Sequence, residues 1–190
     1  MKDKTDVVIR PAAEADIEGI LEIVNDYADQ NLMLPRTGDQ IRRVLSHFLV
    51  AEHEGHVVGC GSLVRLTAGL TELRSLAVAA EWRSTGLGRR LVEALVDQAR
   101  QAGFQQVCAL TLVESFFNKM GFATVDRWTL TPKIWHECIY CPKFDACDEI
   151  AVLMNLVEPE TVVQPRPDAE TVPWLRLRLG AIATSQPPQG

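Results

Sequence analysis

The segment Leu76-Ala77-Val78-Ala79-Ala80-Glu81-Trp82-Arg83-Ser84-Thr85-Gly86-Leu87-Gly88-Arg89-Arg90 carries the densest chemical signal in the chain. An apolar strand-like run feeds a turn with two glycines, and a long amphipathic stretch follows. A turn of this kind aims several backbone N–H groups one way, at the positive end of a helix dipole. Gly86 and Gly88 remove the Cβ atoms that would block an approaching anion, and Arg83, Arg89 and Arg90 add positive charge. These residue types at these spacings suit a phosphate or pyrophosphate cradle. They also suit an ordinary tight turn into a helix. No Gly-x4-Gly-Lys-Ser/Thr string occurs, and Leu91 stands where the third glycine of a dinucleotide fingerprint belongs.

His136, Cys138, Cys141 and Cys147 form a second cluster. Cys-x2-Cys spacing lets two thiolates reach one ion, but no second pair is evident for zinc, and an iron–sulfur cluster wants four cysteines. The cluster reads equally as packed or surface thiols, so whether these residues bind a metal stays open. Cys60 and Cys108 fall on predicted strands and read as buried small apolar residues.

The elements that must position these groups follow from periodicity. Ile17, Ile20, Leu21, Val24 and Tyr27 recur at helical spacing, which predicts a helix over 13–29. After the loop Asn31–Arg36, Thr37 or Asp39 caps a second helix carrying Ile41, Val44, Leu45 and Phe48. Phe48–Glu52 and His56–Val64 read as a hairpin turning at Glu54-Gly55. Gly59 and Gly61 inside its second strand point to a bulge or a close backbone approach. Further strands are expected over 72–78, 106–112, 122–125 and 150–156. A long helix from Leu87 should stop at Gly103, and a short one spans Ser115–Met120. Hairpins first and strand–helix alternation afterwards predict an α/β (α+β) sheet of mixed direction.

Composition narrows the class. The chain has 190 residues, 47% hydrophobic and 23% charged, as in an ordinary globular protein. Its formal net charge of −6 argues against a nucleic-acid partner. No run of about 18 apolar residues suggests a membrane span, and the polar N-terminus lacks a signal peptide's apolar core. Five cysteines, an odd number, fit a cytoplasmic protein without a disulfide framework. Six of ten prolines lie beyond residue 156. Residues 1–156 therefore read as the folded domain and 157–190 as a proline-rich extension. That extension is partly disordered or docks through Val172–Ile182.

The Arg-x-x-Gly-x-Gly string after a Leu-Ala-Val strand resembles the acetyl-CoA-binding motif of the GNAT superfamily of N-acetyltransferases. The strand Val107–Leu112 and the string Phe116-Phe117-Asn118-Lys119-Met120-Gly121-Phe122 are similar to the second half of that family's pattern. Leu34-Pro35-Arg36-Thr37, Gly59-Cys60-Gly61-Ser62-Leu63, Glu72-Leu73-Arg74-Ser75-Leu76-Ala77-Val78 and Cys138–Ala151 resemble, more narrowly, the short-form amino-acid N-acetyltransferases of N-acetylglutamate-synthase type. The resemblance covers about residues 7–156. It implies the GNAT fold: a mixed, mostly antiparallel sheet flanked by helices and splayed at the acetyl-CoA site. It implies acetyl-CoA as co-substrate. Leu76, Ala77 and Val78 would line the pantetheine, with Phe117 nearby. Arg83, Ser84, Thr85, Gly86, Leu87, Gly88 and Arg89 would cradle the pyrophosphate. A homodimer follows by family analogy alone.

Acetyl transfer to an amine needs a base, a polarised thioester and a stabilised leaving thiolate. Glu72 opens the strand beside the pantetheine and matches the family's general base. Many family members carry a tyrosine where this chain has Phe117, which has no proton to give. Ser115 is the nearest hydroxyl on that short helix and resembles a serine proposed as the acid, though it also suits an N-cap. An acidic acceptor needs cations. Arg36 follows Leu34-Pro35 and can hold a carboxylate with two hydrogen bonds, and Arg74 shares a strand face with Glu72. The function implied is acetylation of the α-amino group of an amino acid, foremost L-glutamate at the entry to arginine biosynthesis. The alternatives are a GNAT transferase for another small amine and a non-catalytic acyl-CoA-binding module.

Overall fold

The computed structural model describes residues 6–158. The proline-rich extension expected from residue 157, with its apolar stretch over 172–182, lies almost wholly outside them. In chain order the elements are β1 (Val8–Pro11), α1 (Ile17–Asp29), α2 (Gly38–Arg43), β2 (Phe48–His53), β3 (His56–Arg65), β4 (Leu70–Val78), α3 (Leu87–Gln101), β5 (Gln106–Thr111), α4 (Glu114–Asn118), β6 (Ala123–Val125), α5 (Thr131–His136) and β7 (Ile150–Asn155). The strands form one sheet in the order β1-β2-β3-β4-β5-β7-β6. Every neighbouring pair is antiparallel except β4–β5. This is the mixed, mostly antiparallel sheet flanked by helices that the sequence led us to expect. α5 is not among the elements expected from periodicity.

Each face of the sheet takes a helix. Ile17, Ile20, Ile23 and Val24 make the buried stripe of α1, packed with Val50, Cys60 and Ala77. Leu91, Val92, Leu95, Val96 and Ala99 make the stripe of α3, and most of it packs with Leu49, Leu63 and Leu73. Strand alternation explains why Leu49 faces α3 and its neighbour Val50 faces α1. Thr37 rather than Asp39 caps α2: its hydroxyl accepts from the Gln40 amide at 3.3 Å, and the Gln40 side chain accepts from the Thr37 amide at 2.9 Å. Phe48 does not extend α2; it opens β2.

β4 breaks the alternation. Cys60 pairs with Ala77 but Ser62 pairs with Arg74, so three steps along β4 match two along β3. The extra residue is a bulge at Ser75–Leu76, where Ser75 takes φ +50° and its carbonyl accepts from the Cys60 thiol at 3.5 Å. The bulge reverses parity. Leu73 and Val78, five residues apart, both face α3, while Ala77 faces α1. Gly61 lies opposite the bulge, and a Cβ there would meet Leu95 Cδ1 at 2.7 Å. Glycine at this position is what lets α3 close onto the sheet.

The parallel pair is short. β4 and β5 match only over Leu70–Glu72 and Gln106–Cys108. Beyond that point β4 follows β3 to Val78 and β5 follows β7 to Thr111, so the two strands part like a wedge.

At the sheet's far edge Arg10 joins β1 to the start of α1. Its guanidinium donates to Asp16 at 2.7 and 2.8 Å and to Glu52 at 2.7 Å. The Arg10 hydrogen bonds, with one from the Ala13 amide, hold the Asp16 carboxyl below its ordinary value of 3.8 despite burial. A depressed folded value stabilises the fold above that range and stops doing so as pH falls through it.

Two stability measurements check these contacts. Gly61→Ala should destabilise the fold by about 1–3 kcal/mol in urea unfolding, and by clearly less in a Leu95→Ala background. Simple additivity would show that the two positions do not meet. Asp16→Asn should cost about 2–3 kcal/mol near neutral pH and a diminishing amount as pH falls to about 2. A cost independent of pH would remove the ion pair from the explanation.

Candidate active site

Glu72 is the last residue of β4 in register with β5, so its carboxylate lies at the vertex of the wedge. The wedge opens into a cavity of about 450 Å³ lined by Glu72–Leu76 on one arm and Ala109–Val113 on the other. Glu72 is 3% exposed. A carboxylate so far from water must be paired. Arg74, two residues along on the same face, binds Oε2. Lys133 of α5 approaches Oε1 at 3.0 Å. Glu137 completes the set, accepting from Lys133 at 2.7 Å and from Arg74. Two anions and two cations thus close a network across β4 and α5.

The electrostatics follow from this closure. Burial alone would lower the Arg74 pKa, but Glu72 and Glu137 raise it. Burial would raise that of Glu137, but hydrogen bonds from Lys133 and Arg74 bring it down. Glu149 lines the same cavity outside the network, and its carboxyl is pushed up, first by burial. Cys108 on β5 is pushed up by burial and then by the Glu72 charge.

The structure brings most of the expected acceptor residues together. Leu34, Arg36, Glu72, Arg74 and Phe117 all line the cavity. Asn25 braces the Arg36 backbone, its side chain accepting from the amide at 2.9 Å and donating to the carbonyl at 3.1 Å. Among the described residues no acceptor engages the Arg36 guanidinium, whereas that of Arg74 is taken by Glu72 and Glu137. Ser115 is the exception. It is exposed and does not line the cavity, and the N-cap of α4 is Val113, not Ser115. Phe117, on the buried side of α4, packs edge-to-face on Phe116 and Phe122.

The glycine turn takes the form expected of a cradle. Ser84 adopts φ +60° and Gly86 φ +86°, with open space where a Gly86 side chain would stand. Among the described residues, none of the N–H groups of residues 84–89 makes a well-formed backbone hydrogen bond, and they sit at the start of the fifteen-residue α3. Arg83 lies over the Tyr27 ring at 4.7 Å and donates to its hydroxyl at 3.2 Å; that hydroxyl donates to the Val78 carbonyl at 3.0 Å. Arg89 pairs with Glu93 at 2.7 Å. Arg90, counted with the cradle in the sequence, instead donates to the Val7 carbonyl at 2.8 Å.

Cys138, Cys141 and Cys147 are free thiols that line the cavity. Among the described residues no group of three His, Cys, Asp or Glu side chains is placed to hold a metal. Cys60 and Cys108 are fully buried, as expected, and burial pushes the Cys60 thiol up to about 12. Sequence reasoning missed Lys133 and Glu137. Their signal was slight: an i,i+4 Lys–Glu pair just after Pro132, in a segment with no apolar period.

Residues 17–122 match the sequence model of the acetyltransferase (GNAT) family. The chain is 39% identical over 151 residues to an uncharacterized N-acetyltransferase of Chlorobaculum tepidum, covering 80% of this chain and 97% of that one. It is 32% identical over 141 residues to an amino-acid acetyltransferase of Mycobacterium tuberculosis, covering 73% and 79%. A Mycobacterium tuberculosis structure in complex with CoA aligns at a TM-score of 0.69 and 26% identity, covering 79% of this chain and 99% of that one. A family match across the wedge, the turn and α3, joined to a relative aligned nearly end to end, makes this chain a member of the GNAT family of acetyltransferases.

Proposed function

We propose that the protein transfers the acetyl group of acetyl-CoA to the α-amino group of an amino acid, foremost L-glutamate. The single observation that carries this reading is the cavity's charge inventory. A buried carboxylate lies at the vertex of the wedge, and Arg36 lines the same cavity with no acidic partner among the described residues. The relative named an amino-acid acetyltransferase supports the same class of acceptor.

The residues fit acetyl-CoA. The N–H groups of residues 84–89, at the positive end of α3 and without well-formed backbone hydrogen bonds among the described residues, suit a pyrophosphate, with Arg83 and Arg89 as flanking charge. Past Glu72 the β4 edge has no β5 partner, so the backbone of Leu76–Val78 can pair with the pantetheine amides. When bound, acetyl-CoA supplies the activated acyl group. Glu72 takes a proton from the acceptor ammonium, and Arg36 and Arg74 hold carboxylate. The amine nitrogen forms the new amide bond as the C–S bond breaks. Phe117 cannot protonate the departing thiolate, and Ser115 lies off the cavity wall, so neither of the two supplies the acid. The unpaired thiols suit a cytoplasmic setting, and N-acetylglutamate formation would place the reaction at the start of arginine biosynthesis.

A thiol assay of CoA release across the common amino acids and several polyamines tests the reading. L-Glutamate should give the highest kcat/KM. Glu72→Gln should lower kcat by about 10²–10⁴-fold while retaining the native circular dichroism spectrum. No release with any amino acid, or full turnover by Glu72→Gln, would sink it. Arg36→Ala should raise KM for L-glutamate about tenfold or more, with much less effect on KM for acetyl-CoA; the reverse pattern would move Arg36 out of the acceptor site.

A further inference from the structure

Glu137 is a carboxylate of the chain itself, gripped as a ligand carboxylate would be. Arg74 donates to Oε1 at 2.5 Å and Lys133 to Oε2 at 2.7 Å, one cation to each oxygen. The two cations arrive from different elements, β4 and α5, and both also touch Glu72. The carboxylates they share are not equivalent. The Glu72 side chain is 4% exposed, and that of Glu137 is 38% exposed. Glu137 is also the residue just past the end of α5, with its backbone bonded to Lys133 and Tyr140, so a rotation of its side chain leaves the helix intact. All four side chains line the cavity assigned to the acceptor.

We propose that Arg74 and Lys133 form the receptor for the acceptor's α-carboxylate, and that Glu137 is its built-in occupant, displaced when the acceptor binds. This rests on Glu72 acting as the base. In an α-amino acid the carboxylate carbon and the amino nitrogen share one carbon. A carboxylate held by two cations that both touch Glu72 therefore brings the ammonium to the Glu72 oxygens. Exchanging one carboxylate for another keeps both cations paired, so neither is left uncompensated in a low-dielectric site. Glu137 loses least in the exchange, because it already reaches water. The hydrogen bonds from Lys133 and Arg74 outweigh burial and keep Glu137 ionised at neutral pH, which makes it a close mimic of the ligand group. A simple amine, with no carboxylate, cannot displace Glu137. The device would therefore select amino acids over amines and leave Arg36 for a side-chain carboxylate.

Steady-state kinetics of the full chain test this with Glu137→Gln and Glu137→Ala, using L-glutamate, other α-amino acids that the wild type turns over, and the α-carboxamide of each. Removing the internal competitor should lower KM for the amino acids about tenfold in both variants and leave the α-carboxamides unmoved. Lys133→Met should raise KM for the same amino acids at least tenfold, and Lys133→Arg should recover part of it. A KM unchanged or raised in both Glu137 variants, or lowered equally for the α-carboxamides, overturns the inference while the acceptor class stands. If the wild type turns over no α-amino acid, both that class and this inference fail.

Discussion

Glu72 is buried at the point where β4 and β5 stop pairing, and the rest of the site is arranged around that charge. Leaving a carboxylate unpaired in such a place would cost several kcal/mol, more than a single domain can spare. The fold answers with a cation from the same strand face, Arg74, and one from α5, Lys133. Two cations around one buried anion leave an excess positive charge, and Glu137 balances it. The tether between α5 and the sheet is thus partly electrostatic, beside the buried side chains of Leu130 and Ile134, and the same charges line the acceptor cavity.

The wedge itself is a packing solution. Had β4 kept strict alternation, Leu73 and Ala77 would share a face. The extra residue at Ser75–Leu76 moves Ala77 under α1 and turns Val78 toward α3. Ser75 bears a left-handed conformation that L residues avoid, at about 1–2 kcal/mol. It is held there by the Cys60 thiol below and by α3 seated over Gly61. The bulge and the short parallel pair together free one edge of β4, which is the feature an extended amide-bearing ligand needs.

Charge placement matters more than the total. The chain is acidic overall, yet α3 begins with a row of N–H groups that make no well-formed backbone hydrogen bond among the described residues. Of the three arginines around that turn, Arg83 is stacked on Tyr27, Arg89 is paired with Glu93, and Arg90 is spent on the Val7 carbonyl. The backbone amides, not a cluster of free guanidinium groups, make the turn attractive to an anion. Tyr27 links this turn to the acceptor side, since its hydroxyl meets both Arg83 and the Val78 carbonyl and its side chain lines the cavity.

The sequence by itself determined the strands, both long helices, the glycine turn and the position of Glu72, because these depend on local period and spacing. Residues two apart on a strand share a face, so the common face of Glu72 and Arg74 was legible, although not that Arg74 would pair with Glu72 itself. Gly59 and Gly61 announced a close approach, although not that Leu95 would be the atom above Gly61. Only the tertiary structure decided which charges Glu72 meets. Lys133 and Glu137 lie about sixty residues away, on and just past a six-residue helix too short for an apolar stripe, which is seated by buried Leu130 and Ile134 together with the ion pairs. Tertiary packing likewise turned Ser115 off the cavity wall and Arg90 away from the turn. Both outcomes depend on which side of a helix faces the sheet, and for a helix as short as α4 periodicity cannot fix that.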